Sequence, residues 1–175
     1  MSRLKFLSIK LVLLLALLPS LIIISSMIRS TVYDVYGKVY FKYTYIESID
    51  TPSYNNQTKE ILEEFNSYTD NKVVSFSKIN NGRPIKIQEM KDSDVISDPF
   101  VLGWANVHLS FCLITVKKHL SKEDYRETLI HEFLHCFNYM HVSNPQDLMY
   151  YQLNYLDKEE SIRQYATKVR KKFYE

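Results

Sequence analysis

From residue 131 to residue 141 the chain reads His-Glu-Phe-Leu-His-Cys-Phe-Asn-Tyr-Met-His, three imidazoles and one carboxylate at spacings that suit metal-assisted hydrolysis. On an α-helix, His131 and His135 are four residues apart and project from one face, so each can offer a ring nitrogen to a single Zn²⁺. Glu132 lies beside them, placed for proton transfer. His141 sets a geometric condition. An unbroken helix would carry it roughly 15 Å along the axis from His131, at about 1.5 Å per residue, yet Zn–N bonds are only about 2.1 Å long. If all three are ligands, the helix has to end between His135 and His141 and the chain has to turn back. Asn138 is the residue there that can take the positive φ that closes a helix, because its short polar side chain bonds locally to the backbone.

A pattern as short as HExxH also arises by chance on surface helices, so its setting matters. At about 100° per residue, Asp124, Thr128, His131 and His135 share one side of the helix. Tyr125, Leu129, Ile130, Phe133, Cys136 and Phe137 cover most of the rest. A helix this apolar is buried, and histidines on its one remaining face line a cleft or else satisfy each other as core polar groups. Ser121 with Asp124 three residues later marks the helix start.

Asp147-Leu148-Met149-Tyr150 brings a methionine eight residues after His141. With that addition, HExxHxxNxxH resembles the signature of the metzincin clan of zinc endopeptidases, and the short His-to-Met spacing and the Leu-Met-Tyr string are most similar to the matrixin catalytic domain. The resemblance implies His131, His135 and His141 as zinc ligands, Glu132 as general base and Met149 as the apolar floor beneath the metal. Met149 by itself would read as an ordinary core methionine. The family pattern has Gly where this chain has Asn138. Tyr151 matches the place where astacin-like and serralysin-like members carry a metal-proximal tyrosine, which matrixins lack. Whether it stabilises an oxyanion or is one of 14 tyrosines that happens to fall there stays open.

The elements that must position these residues fit a chain of 175 residues, enough for one domain with a proper core. A net charge of +2 gives no basis for nucleic-acid binding, and a monomer is expected. The N-terminus differs in kind. Arg3, Lys5 and Lys10 precede an uncharged run from Leu11 to Ile28, which reads as a membrane-targeting segment within residues 1–30, ahead of a metallopeptidase domain at 31–175. A signal anchor leaves the later residues outside the cytoplasm by the positive-inside tendency. Secretion after signal cleavage is the alternative, although Ser25-Ser26-Met27 is a poor cleavage site. Export would permit a Cys112–Cys136 bridge; two buried thiols are the other reading.

The expected fold class is α+β, α/β-like in its N-terminal half: a twisted mixed sheet of about five strands with an active-site helix and a C-terminal helix, metzincin-like by resemblance. Val39–Ile46, Val73–Lys78 and Ile85–Gln88 read as strands, with a helix at Gln57–Tyr68 after the first and a turn at Asn80-Asn81-Gly82. Strand, helix, strand implies parallel pairing. Trp104–Val116 supplies two more strands. By resemblance, one of them, near Ala105–Leu109, is the antiparallel edge above the cleft that binds an extended peptide by strand addition. His108 in that stretch reads as an exposed strand histidine outside the metal set. Asp157 with Glu160 starts a last helix whose apolar stripe is Ile162, Tyr165, Ala166, Val169 and Phe173. Its basic residues form a solvated face, with contact to anionic lipid as a further option. Asn56-Gln57-Thr58 is a glycosylation sequon.

The expected function is a zinc endopeptidase with one catalytic ion, acting outside the cytoplasm on protein or peptide substrates, with the N-terminal helix in the membrane. Two alternatives stand beside it: a catalytically inactive zinc-stabilised binding domain, and a peptidase whose third ligand is Glu159 or Glu160.

Overall fold

A computed structural model describes residues 41, 43–54, 56–94, 100–145, 147–150 and 159–175. The expected membrane segment at 1–30, the Asp157 helix start and Tyr151 lie outside these residues. Among the described residues no helix is long and apolar enough to cross a membrane.

The architecture is mixed α+β. Strand β1 (Thr44–Asp50) is followed by helix α1 (Gln57–Ser67), then β2 (Arg83–Glu89), β3 (Gly103–Val107), β4 (Cys112–Val116), helix α2 (Lys122–Cys136) and helix α3 (Glu159–Phe173). The four strands form one sheet in the order β1-β2-β4-β3. β1 and β2 pair in parallel around α1, β2 and β4 pair in parallel, and β3 closes the sheet as an antiparallel edge.

Two strand expectations are corrected. Among the described residues the first strand starts at Thr44, which pairs with Arg83, the first residue of β2; Val39, Tyr40 and Lys42 lie outside them. Phe41 and Tyr43, the described residues ahead of Thr44, are outside the strand. Val73–Lys78 is not a strand, so among the described residues the sheet has four strands rather than five. The Asn66 side chain occupies that backbone instead: its Oδ1 accepts from the Val73 and Val74 amides at 3.1 and 2.8 Å, and its Nδ2 donates to the Val74 carbonyl at 3.0 Å. Ser75 Oγ then bonds Ser77 on both sides of its peptide, a local alternative to the ladder. Val73 and Val74 still reach the core, so the apolar signal was real while the element was not. At the following turn the positive φ belongs to Asn81, at 60°.

α2 runs through the middle of the core. Tyr125, Leu129, Phe133, Leu134 and Phe137 are all fully buried. Phe133 meets Phe65 of α1 edge to face at 5.5 Å, and Phe137 meets Phe173 of α3 at 5.8 Å. Ser121 caps the helix as expected, accepting from the Asp124 amide at 3.0 Å. The expected stripe of α3, Ile162 to Phe173, is buried throughout. The sequon threonine, Thr58, is also buried, its hydroxyl shared between Thr51 Oγ1 at 2.6 Å and the Tyr125 hydroxyl at 2.5 Å. Packing therefore accounts for Thr58 without a glycan.

An ionic cluster joins the three helices. Arg126 of α2 contacts Glu64 of α1 at 2.8 Å and Glu159 of α3 at 2.6 Å, while the Tyr68 hydroxyl lies 2.7 Å from Glu159 and 3.0 Å from Glu64, and Arg163 meets Glu159 at 3.0 Å. The Tyr68 hydrogen bond, aided by Arg126 and Arg163, holds the Glu159 carboxyl down at about 2. Arg126 likewise lowers Glu64. In the unfolded chain these groups take up protons near 4.5, so between that pH and about 2 the unfolded state binds more protons and stability falls as the pH falls. The contribution is complete above that window. We expect the urea midpoint to drop between pH 5 and pH 3, and Glu159→Gln to reduce the drop. An unchanged slope in the variant would remove Glu159 from this role.

Candidate metal centre

Residues His131 and His135 project from the last two turns of α2, and the helix ends where the sequence requires. Asn138 takes φ 62°. Its amide donates to the His135 carbonyl at 2.8 Å and the Tyr139 amide to the Leu134 carbonyl at 3.2 Å, the paired bonds of a Schellman closure. The reversal brings His141 back. The three Nε2 atoms then form a triangle with every edge 3.1 Å.

The hydrogen bonds on the far side of the rings decide what this triangle can hold. His131 Nδ1 lies 2.7 Å from the Leu148 carbonyl and His135 Nδ1 lies 2.7 Å from the Tyr139 carbonyl. A carbonyl only accepts, so each Nδ1 carries the proton and each Nε2 presents a lone pair. Lone pairs aimed at one another across 3.1 Å repel, and a cation between them converts that repulsion into coordination. His131, His135 and His141 would hold such an ion through their Nε2 atoms, and the ion would supply Lewis acidity there. His131, His135 and His141 are thus positioned to hold a metal ion, and the all-imidazole set is compatible with zinc. Burial holds His135 below its ordinary pKa, which also favours the neutral ligand form.

Glu132 points across the cleft from α2 to the edge strand. It is 7% exposed, and burial raises its carboxyl to about 8, against the opposing hydrogen bond from the Ala105 amide. That amide is free to donate because β3 alternates. His108, three residues on, bonds back to the Phe111 carbonyl at 2.9 Å, so the odd-numbered residues of β3 turn their amides away from β4. Gly103 permits the approach: a Cβ there would lie 2.7 Å from Thr128 Cγ2 and 3.3 Å from Glu132 Cγ. Gly103, Ala105, and the Leu148 and Tyr139 carbonyls all serve the site, and nothing in their residue types announces it.

Met149 is fully buried. Its amide bonds Asp147 Oδ1 at 2.8 Å and its carbonyl accepts from the Val142 amide at 3.0 Å. These bonds fix the turn that carries Leu148 O to His131. His108 stacks on Phe111 at 4.3 Å and stands outside the histidine triangle, as expected. Glu159 is engaged by Arg126, Arg163 and Tyr68, and Glu160 is bonded to Gln164 at 3.1 Å, so neither joins the triangle.

Two further contacts brace the helix end. Cys112 of β4 and Cys136 of α2 form a disulfide, with Cα atoms 5.7 Å apart and both residues fully buried. Of the two readings of these cysteines, the bridge is the one the structure contains. Closing a loop of 24 residues' separation contributes about 3 kcal/mol by the chain-entropy estimate. The double variant Cys112→Ser/Cys136→Ser should therefore lose about 3 kcal/mol in urea unfolding, and a loss below about 1 would show the bridge to be dispensable. Arg83, 1% exposed, donates to the carbonyls of His108, Phe111 and Cys136 at 2.8 to 3.2 Å and lies under the Phe41 ring. Burial pulls its guanidinium down to about 10.

No protein-family model and no curated protein matches this chain. The chemistry of the centre rests on its own residues.

Proposed function

We propose that the chain is a zinc-dependent endopeptidase of metzincin type, closest in pattern to a minimal matrixin catalytic domain, which hydrolyses protein or peptide substrates outside the cytoplasm. The observation that carries this reading is the pairing of a three-nitrogen triangle with a buried carboxylate from the adjacent residue. When bound, a zinc ion supplies Lewis acidity, lowering the pKa of a nearby water to about 7 and polarising a carbonyl.

The chain's own groups supply the rest. Glu132 accepts the proton of the attacking water and delivers it to the departing amine. The Ala105 amide holds that carboxylate in place until it is needed. Leu148 and Tyr139 keep the His131 and His135 rings in the ligand tautomer. β3 offers an extended peptide the outward-facing backbone groups of an open sheet edge, so affinity arises from main-chain bonds. Met149 packs the floor of the turn. Tyr151 is retained as a candidate oxyanion stabiliser.

Export is supported by the basic-flanked apolar run at Leu11–Ile28 and by the buried disulfide, which is typical of oxidising compartments. The second reading, a zinc-stabilised binding domain without turnover, gives no reason for a carboxylate buried between α2 and β3. Cleavage of denatured casein separates the two. It should cease with a chelator and return on adding zinc, and the chelator should also lower the melting temperature, because the ion binds the folded state. Zinc-bound protein that never cleaves casein would leave the binding domain as the answer.

A further inference from the structure

The outer side of α3 carries cations that have no counterion among the described residues. Lys168, Lys171 and Lys172, at i, i+3 and i+4, are exposed on one side of the helix. Among the described residues no carboxylate lies within ion-pair distance of them, whereas Arg163 is matched by Glu159 and Arg170 by Asp70 and Glu175. The helix dipole accounts for cations in the last turn, which holds Lys171 and Lys172, but Lys168 lies ahead of it.

The strip is also seated. Lys168 Nζ lies 4.3 Å from the centre of the Tyr165 ring and Lys172 Nζ 5.6 Å from that of Tyr139. Those two rings meet edge to face at 5.2 Å. Tyr139 is the residue whose carbonyl orients His135, and only Met140 separates it from His141. The cationic strip therefore adjoins the metal-bearing loop through one aromatic pair.

We infer that this face of α3 docks an acidic segment of the polypeptide substrate, a reading that rests on the peptidase assignment. Charge complementarity selects the occupant: three ammonium groups without carboxylates favour a run of Asp or Glu side chains. Position favours a polypeptide over an anionic bilayer, because the strip adjoins the metal-bearing loop through Tyr139, and a bilayer gains nothing from that adjacency. Ammonium groups held against aromatic rings lose less side-chain freedom on binding, and their field speeds encounter with an acidic partner.

The test uses the full chain in a neutral detergent, with Glu132→Gln as background so that turnover does not intrude, and fluorescein-labelled hexaglutamate as probe. At low salt, anisotropy should show binding that Lys168→Gln/Lys171→Gln/Lys172→Gln weakens about tenfold. The control Lys72→Gln/Lys78→Gln/Lys91→Gln makes the same change in net charge at other exposed lysines and should stay within about twofold. Equal weakening in both variants, or no binding by the parent, overturns the proposal. So does loss of phosphatidylglycerol-vesicle binding in the α3 variant with hexaglutamate binding intact, which would assign the face to lipid. Casein cleavage by the Glu132-containing chain is scored separately: its absence alongside α3-dependent hexaglutamate binding would overturn the peptidase reading and leave an acidic-peptide docking face standing.

Discussion

Replacing Glu132 with Gln should lower the turnover of denatured casein by about 10²- to 10⁴-fold, the range that a positioned general base supplies, while zinc content stays at one ion per chain. The choice of Gln matters. Its amide oxygen can still accept from the Ala105 amide that bonds the native carboxylate, and its volume fills the same space beside Gly103. Fold and metal site are thereby preserved, and only the capacity to take and return a proton is lost. A variant that binds zinc, melts no lower and still cleaves casein at more than a tenth of the parent rate would end the assignment of Glu132 as base. Activity lost together with zinc or stability would instead make the residue structural.

Arg83→Met should cost about 3 kcal/mol of folding stability, since it leaves carbonyl oxygens buried without donors. The guanidinium serves three of them on two elements: His108 and Phe111 in the β3–β4 turn, and Cys136 at the end of α2. One side chain thus ties the edge strand to the C-terminus of the helix that carries His131 and His135, where the helix dipole also favours a cation. Met keeps the apolar contact with Phe41 and provides no donor. Arg83→Lys should lie between the two, because a single ammonium cannot reproduce the planar fork. In a domain of this size, 3 kcal/mol corresponds to a fall of about 10 °C in melting temperature. A fall of less than about 2 °C would mean that water satisfies those carbonyls and that the clamp is not needed.

Much of the centre was legible because its determinants are local. Four-residue spacing puts His131 and His135 on one face of any helix, and Asn138 announces a left-handed closure wherever an apolar helix runs out. The Ser121 cap and the α3 stripe were readable for the same reason: each depends on contacts within a few residues. The strands at 83–89, 103–107 and 112–116 were found near their expected places, whereas Val73–Lys78 failed. Its composition promised a strand, but the side chain of Asn66, which lies earlier in the chain, bonds Val73 and Val74, and the bond from the Ile46 amide to the Ser75 carbonyl does not extend into a ladder. Gly103 and Arg83 carried no readable signal. A glycine required by an approaching helix looks like any other glycine, and an arginine destined for the core looks like a surface charge.

Residue order alone therefore determined the shared face of His131 and His135, the carboxylate beside them and the place of a chain reversal after His135, since these follow from helical periodicity and from the backbone preference of one asparagine. Only the tertiary structure decided that the three nitrogens converge to 3.1 Å, with the His131 and His135 ring protons turned outward onto Leu148 and Tyr139. Only it paired Cys112 with Cys136 and brought the Ala105 amide to Glu132. The disulfide, the Ala105–Glu132 bond and the Leu148–His131 bond join residues far apart in the chain, so the sequence alone does not announce them.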